Sequence, residues 1–141
     1  MNQKSILIVD DEEEILAALK IFLELRNYRV QTCQDPLKAL DILWRRGFQV
    51  VLLDVNMPGM DGLTLLSRIK SLRPSTQVIM MTTYSTLGIV KASLNAGSTD
   101  FIMKPFVRLE DIHRILDLTC ERIERWESAG SRGVESVLKK P

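Results

Sequence analysis

Four short apolar runs in this chain each stop at a polar residue. Ile6 to Val9 runs into Asp10-Asp11, Val50 to Leu53 into Asp54, Val78 to Met81 into Thr82-Thr83, and Phe101 to Met103 into Lys104-Pro105. Runs this short and this apolar, separated by stretches of helical period, predict strands of a parallel sheet covered on both faces. Between them, Glu12 to Arg26 carries Ile15, Leu19, Phe22 and Leu23 on one helical face. Tyr28 to Cys33 reads as a further strand, ended by Asp35-Pro36, an N-cap residue followed by proline at the first helical position. That helix should end near Gly47. A loop from Val55 to Gly62 and a helix from Leu63 to Leu72 follow the strand at Asp54. A helix across Leu87 to Ala96 is closed by Gly97, and a last helix begins near Val107, with Leu109, Ile112, Leu116 and Ile123 on one face. The alternation predicts an α/β fold, a doubly wound parallel sheet of five strands with right-handed crossovers.

In such a sheet the residues just past the strand ends collect along one edge, and that carboxyl edge is where open α/β sheets bind ligands. Asp10, Asp11, Asp54, Thr82 and Lys104 therefore share one crevice. Taken alone, Asp10 and Asp11 read, with Glu12 to Glu14, as acids in the first turn of a helix, where the macrodipole favours them. Asp54 is different, because a carboxylate directly after four apolar residues is not explained by capping. Carboxylates gathered at neighbouring strand ends raise one another's pKa unless a cation intervenes. Mg²⁺ is the natural cation, since it takes one or two carboxylates, keeps waters and leaves room for phosphate oxygens. Mn²⁺ is a substitute of the same kind. Lys104 and Thr82 supply an ammonium and a hydroxyl for a phosphoryl group. Asp54 is then the candidate nucleophile, because a carboxylate can accept a phosphoryl group as an acyl phosphate. No glycine-rich nucleotide-binding loop is present.

Bulk properties narrow the picture only a little. At 141 residues, with 45% hydrophobic and 26% charged positions, the chain suits one soluble domain. A net charge of +1 gives no electrostatic reason for nucleic-acid binding. No apolar stretch approaches the ~20 residues that span a bilayer, and there is no signal-peptide core. Cys33 and Cys120 have neither metal-ligand nor redox spacing, so free thiols and a cytoplasmic setting are expected. His113, the only histidine, is expected on the surface of the last helix; Trp44 and Trp126 are expected to pack or to be partly exposed. After Trp126 the character changes, and Ser128 to Gly133 has the composition of a flexible link. The expected organisation is a folded unit over 1–127 and a flexible tail or linker over 128–141.

The residues now in view resemble the receiver domain of bacterial two-component response regulators. The motifs are Ile6-Leu7-Ile8-Val9-Asp10-Asp11-Glu12, Leu52-Leu53-Asp54 through Pro58 to Gly62, Met81-Thr82-Thr83-Tyr84, and Asp100-Phe101-Ile102-Met103-Lys104-Pro105-Phe106. The stretch from Gly97 to Phe106 is most similar to receivers of the nitrogen-regulator type. The resemblance implies a flavodoxin-like three-layer fold with strand order 2-1-3-4-5. It implies Asp54 as phosphoacceptor, and Mg²⁺ bound by Asp11, Asp54 and the backbone carbonyl of Asn56, with Asp10 helping to hold it through water. Thr82 and Lys104 would contact the phosphoryl oxygens, and the Lys104-Pro105 peptide would be cis. Phe101 falls where the family carries a switch aromatic that works with Thr82, and Asn56 and Tyr84 where side chains flank the hydrolytic water. The implied function is a signalling switch that phosphorylates and dephosphorylates itself rather than a turnover enzyme. The phosphoryl donor is a sensor histidine kinase or a phosphotransfer protein. The output runs through the surface of the fourth helix, fifth strand and fifth helix, to an output domain or a downstream protein, with homodimerisation left open. Neither direct nucleic-acid nor membrane binding is expected. Two rivals are a phosphatase of the haloacid-dehalogenase type and a degenerate receiver that signals without phosphate. The first needs an acid two positions beyond its nucleophile, where this chain has Asn56, and a cap insertion; the second is opposed by the intact acids, Thr82 and Lys104.

Overall fold

The structure is a computed structural model describing residues 3–83 and 87–139, with side chains as far as Gly130. Its elements alternate as the apolar pattern requires: β1 (Ser5–Val9), α1 (Glu13–Glu24), β2 (Arg29–Cys33), α2 (Pro36–Arg45), β3 (Val50–Asp54), α3 (Gly62–Leu72), β4 (Gln77–Thr82), α4 (Leu87–Asn95), β5 (Asp100–Met103) and α5 (Leu109–Lys139). The strands form one parallel sheet in the order β2-β1-β3-β4-β5. The direction of winding reverses between β1 and β3, the switch point at which such folds open a crevice.

Side chains of a strand alternate between the two faces, and here that divides the core in two. Ile6, Ile8, Val50, Leu52, Ile79 and Met81 pack with Leu16, Leu19 and Leu23 of α1 and with Ile112, Leu116 and Ile123 of α5. Leu7, Val9, Val51, Leu53, Val78 and Met80 pack on the other face with Ala39 and Leu43 of α2 and Leu65, Leu66 and Ile69 of α3. The central strands are fully buried on both faces, which is why they read as continuous apolar runs. Truncating one of these residues, such as Leu52 to alanine, should cost about 2–5 kcal/mol.

Helix ends follow the sequence closely. The Asp35 carboxylate accepts from the Leu37 amide at 2.9 Å with Pro36 at the first helical position, and Asp61 accepts from the amide and hydroxyl of Thr64 at 2.9 and 2.8 Å. Gly97, at φ +104°, ends α4 in a left-handed turn, with Gly97 N–H bonding Leu94 O and Ser98 N–H bonding Ser93 O.

Two expectations change. His113 is not simply on the surface: it sits half-buried with its ring edge-on to Phe22 and Tyr28, and its Nε2 lies 3.2 Å from Asp117 Oδ2. Aromatic residues on α1 and before β2 converge on that part of α5, a meeting that local helix periodicity does not encode. The second change concerns the segment after Ser128, where composition suggests a flexible link; α5 instead runs as helix to Lys139. Glycine costs only about 1 kcal/mol in a helix interior. Ala129, Arg132, Glu135, Leu138 and Lys139 are good helix formers, and they counter the cost of Gly130 and Gly133 and of the weaker serines and valines among them. Trp44 and Trp126 are both exposed, and the free thiols of Cys33 and Cys120 are buried. Among the described residues no helix is long and apolar enough to cross a membrane.

Candidate functional site

Parallel register sets the site. Val9 pairs with Leu53, Asp54 with Met81, and Thr82 with Met103. Asp10, Asp54, Thr82 and Lys104 thus emerge side by side at the carboxyl ends of β1, β3, β4 and β5. All four are buried. Asp11, by contrast, is exposed, as is Asn56 on the loop after β3.

Lys104 is the hub. Its ammonium donates to Asp10 Oδ2 at 2.6 Å, and lies 3.5 Å from Glu12 Oε1 and 3.6 Å from Asp54 Oδ2. Lys104 N–H bonds Thr82 O at 2.7 Å, and the Lys104-Pro105 peptide is cis, as the resemblance implied. Asp10 is anchored on its other side, with Oδ1 accepting the Glu12 amide at 2.9 Å. That bond also satisfies an amide at the start of α1, where Glu12 itself gives no side-chain cap. Asp54 Oδ1 accepts the Asn56 amide at 3.2 Å, which leaves Oδ2 directed toward Lys104.

Charge within the site is unbalanced. Burial is the main force pushing the Asp54 carboxyl up, and the neighbouring Asp10 charge adds to it against the pull of Lys104, so its pKa reaches about 6. Burial also raises Asp10, more than its bond to Lys104 lowers it. For Lys104, burial acts downward, but the bond and charge of Asp10, with Asp54 and Glu12, outweigh it and leave the ammonium held above its ordinary value. Lys104 is therefore charged at neutral pH, while Asp54 is ionised at a cost.

Oxygen ligands from Asp10, Asp11 and Glu12 lie within 4.8 Å of one another. With Asp54 beside them, these donors are all hard carboxylate oxygens, with no histidine or thiolate, which suits Mg²⁺ or Mn²⁺ and not a softer metal. The protein thus presents an acidic pocket of the kind that holds a hard divalent cation.

Two contributors escaped the sequence reading. Glu12 reads as one of several first-turn acids, yet it faces Lys104 and joins the carboxylate cluster. Gly62 reads as a loop breaker, yet a Cβ there would lie 2.6 Å from Val55 Cα and 2.9 Å from the Asp54 carbonyl oxygen. Gly62 N–H bonds Val55 O at 2.9 Å, so α3 begins in direct backbone contact with the strand end that carries Asp54. The signal was the glycine at the very start of a helix, where capping would favour something else. Phe101 is half-buried on β5 and packs against the α2–α3 core. Tyr84 lies outside the described residues.

Comparison with known proteins agrees with this geometry. Residues 6–117 match the family described as response regulator receiver domain. The chain is 38% identical over 117 residues to sporulation initiation phosphotransferase F of Bacillus subtilis (strain 168), covering 83% of this chain and 90% of that one. It is 36% identical over 115 residues to the uncharacterized transcriptional regulatory protein YkoG of the same organism, covering 82% of this chain. It spans only 50% of the length of that protein. Among solved structures it is similar to a CheY-like response regulator receiver domain protein from Methanospirillum hungatei JF-1, with a TM-score of 0.84 at 35% identity, covering 88% of this chain and 98% of that one.

Proposed function

Because the chain belongs to the response regulator receiver family and works as a phosphorylation-dependent signalling switch, we propose that Asp54 is its phosphoacceptor and that the buried acid–lysine cluster is the switch site. The observation that carries this is the placement of Asp54: buried at a strand end, 3.6 Å from an ammonium and flanked by further carboxylates. A carboxylate so placed is poorly solvated and reactive, and its partners are arranged for a dianionic phosphoryl group rather than for stability.

The donor is a phosphohistidine of a sensor kinase or phosphotransfer protein. Asp54 Oδ attacks phosphorus, the P–N bond breaks as the P–O bond forms, and imidazole leaves. Asp10, Asp11, Asp54 and the Asn56 carbonyl would hold Mg²⁺, with Glu12 alongside. When bound, the ion neutralises the acids and the charge on the transferred group. Lys104 pairs with a phosphoryl oxygen once Asp54 is phosphorylated, and Thr82 donates its hydroxyl to another. Water attack at phosphorus later regenerates the carboxylate and releases inorganic phosphate; Asn56 and Tyr84 tune its access. Movement of Thr82 and Phe101 biases the α4-β5-α5 surface toward its output partner. The receiver unit is taken as 1–127, with 128–141 as an extension, acting in the cytoplasm.

Neither rival gains support. Among the described residues there is no cap between β3 and α3 for a phosphatase, and the acid, lysine and threonine set is complete. Incubation with acetyl phosphate and Mg²⁺, followed by intact mass measurement, tests the assignment. One phosphoryl group should be added to the wild type and none to Asp54→Asn. Undiminished labelling of Asp54→Asn removes Asp54 from the role, and no labelling of the wild type supports the phosphate-independent rival.

A further inference from the structure

Helix α2 carries two apolar stripes, and the fold fully uses only one. Pro36, Ala39 and Leu43 face the core. Leu37, Leu40 and Trp44, at positions i, i+3 and i+7, lie together on another face of the helix, with Leu40 half-buried at the edge of the core. Leu37 and Trp44 are 63% and 72% exposed. A helix apolar on two faces is one that expects to be covered twice. Beside this stripe, α2 and α3 border a shallow, open groove, lined by Leu40, Trp44 and Leu72 as its apolar part and by Asp41, Ser67 and Arg68 at its margins. Single exposed apolar residues need no explanation, but a stripe continuous with a groove marks an interaction surface.

The groove is preformed. Arg73, at the end of α3, donates to the carbonyls of Leu43 and Trp44 at 2.8 and 3.4 Å, tying the two helices together at the carboxyl end of α2. Its margins are also basic. Arg68 has no hydrogen-bond or ion-pair partner among the described residues, and Lys38 follows the outward stripe along α2. Asp41 is the one acid within the groove, and it is already paired with Arg45 at 3.3 Å. Asp35 and Asp61, at the helix starts, are committed to capping.

We propose that the α2–α3 groove is a second docking surface, which receives an amphipathic helix of a partner protein whose apolar stripe is flanked by Asp and Glu. A helix is the element that fits a groove between two packed helices, its side chains entering between theirs. Leucine-like residues would cover Trp44 and Leu40, while the flanking acids meet Arg68 and Lys38. The surface lies away from the acidic site and does not depend on the reading of Asp54.

The test uses the full chain carrying Trp126→Phe, so that Trp44 alone reports by fluorescence. It is titrated with two synthetic helical peptides of about five turns sharing one leucine stripe, one flanked by Glu and the other by Lys. The Glu peptide should shift Trp44 emission to the blue and saturate, Arg68→Glu should weaken it by roughly tenfold or more, and the Lys peptide should give no saturable shift. Both substituted residues are exposed, and an unchanged melting temperature verifies the fold. Equal binding of the two peptides, no saturable shift with either, or an Arg68→Glu variant that binds as well as its parent overturns the proposal. So does a dimer in sedimentation that Trp44→Ser dissociates, because the occupant would then be a second copy.

Discussion

Removing the charge of Asp54 should make the metal-free protein more stable. The carboxyl titrates at about 6 in the folded protein against an ordinary 3.8, so the folded state holds this proton more tightly than the unfolded chain does. Where the native state binds more protons, stability falls as pH rises. For Asp54 the loss accumulates between the unfolded and folded values, roughly pH 4 to 6, and is complete above them. At about 1.4 kcal/mol per pKa unit, the ionised carboxylate costs on the order of 3 kcal/mol at neutral pH. Asp54→Asn removes that cost and can still accept the Asn56 amide through its carbonyl, while Lys104 keeps Asp10 at 2.6 Å. Part of the gain is lost because the new amide nitrogen can face the ammonium. The net expectation is about 1–3 kcal/mol, or a melting temperature roughly 3–10 °C higher for a protein of this size. Calorimetric melts in a chelator at about pH 8 and again at about pH 4.5 provide the check, with the gap between the two proteins narrowing sharply at the lower pH. An Asp54→Asn protein that melts at or below the wild type at the higher pH, or an equal gap at both, refutes the electrostatic account.

Other consequences are open to measurement. Lys104→Ala leaves Asp10 and Asp54 buried without a cation, and chemical denaturation should show a loss of about 3–5 kcal/mol in the metal-free protein. Asp11→Ala should behave differently from Asp54→Asn, because Asp11 is exposed: metal-free stability should move by less than about 0.5 kcal/mol, while calorimetric titration shows Mg²⁺ affinity falling by about tenfold or more. Gly62→Ala must push back the Val55 and Asp54 backbone, costing about 1–3 kcal/mol, and should slow acetyl phosphate labelling followed by mass. Labelled Tyr84→Ala, desalted into Mg²⁺ buffer, should lose its phosphoryl group up to about tenfold faster, equivalent to at most about 1.4 kcal/mol in barrier; unchanged decay would remove Tyr84 from the control of hydrolysis.

What could be read from the sequence, and what could not, divides along a physical line. A strand buried on both faces must be apolar throughout, so its end is marked by the first polar residue, and β1, β3, β4 and β5 announce their termini in this way. Parallel topology then brings those termini to one edge without any knowledge of packing, which is why Asp10, Asp54, Thr82 and Lys104 were legible as neighbours. Their inequality was not. Asp10 and Asp11 are adjacent acids in sequence, but the alternation of side chains past Val9 buries the first against Lys104 and leaves the second exposed. Glu12 was illegible for a similar reason, since its reach to Lys104 at 3.5 Å depends on the angle at which α1 leaves the sheet. Gly62 needed the close backbone approach of α3 to the end of β3, a distance no local pattern carries. The extent of α5 is not legible because the stretch after Trp126 mixes good helix formers with glycine, serine and valine, so local propensity decides nothing there. The outward stripe of α2 belongs with these: its spacing is plain in the sequence, but only the folded sheet shows that Leu37 and Trp44 are left over after the core is filled. Residues surplus to the core are those on which a partner can act, so the same reasoning that gathers the candidate site at one edge also leaves a second surface to be explained.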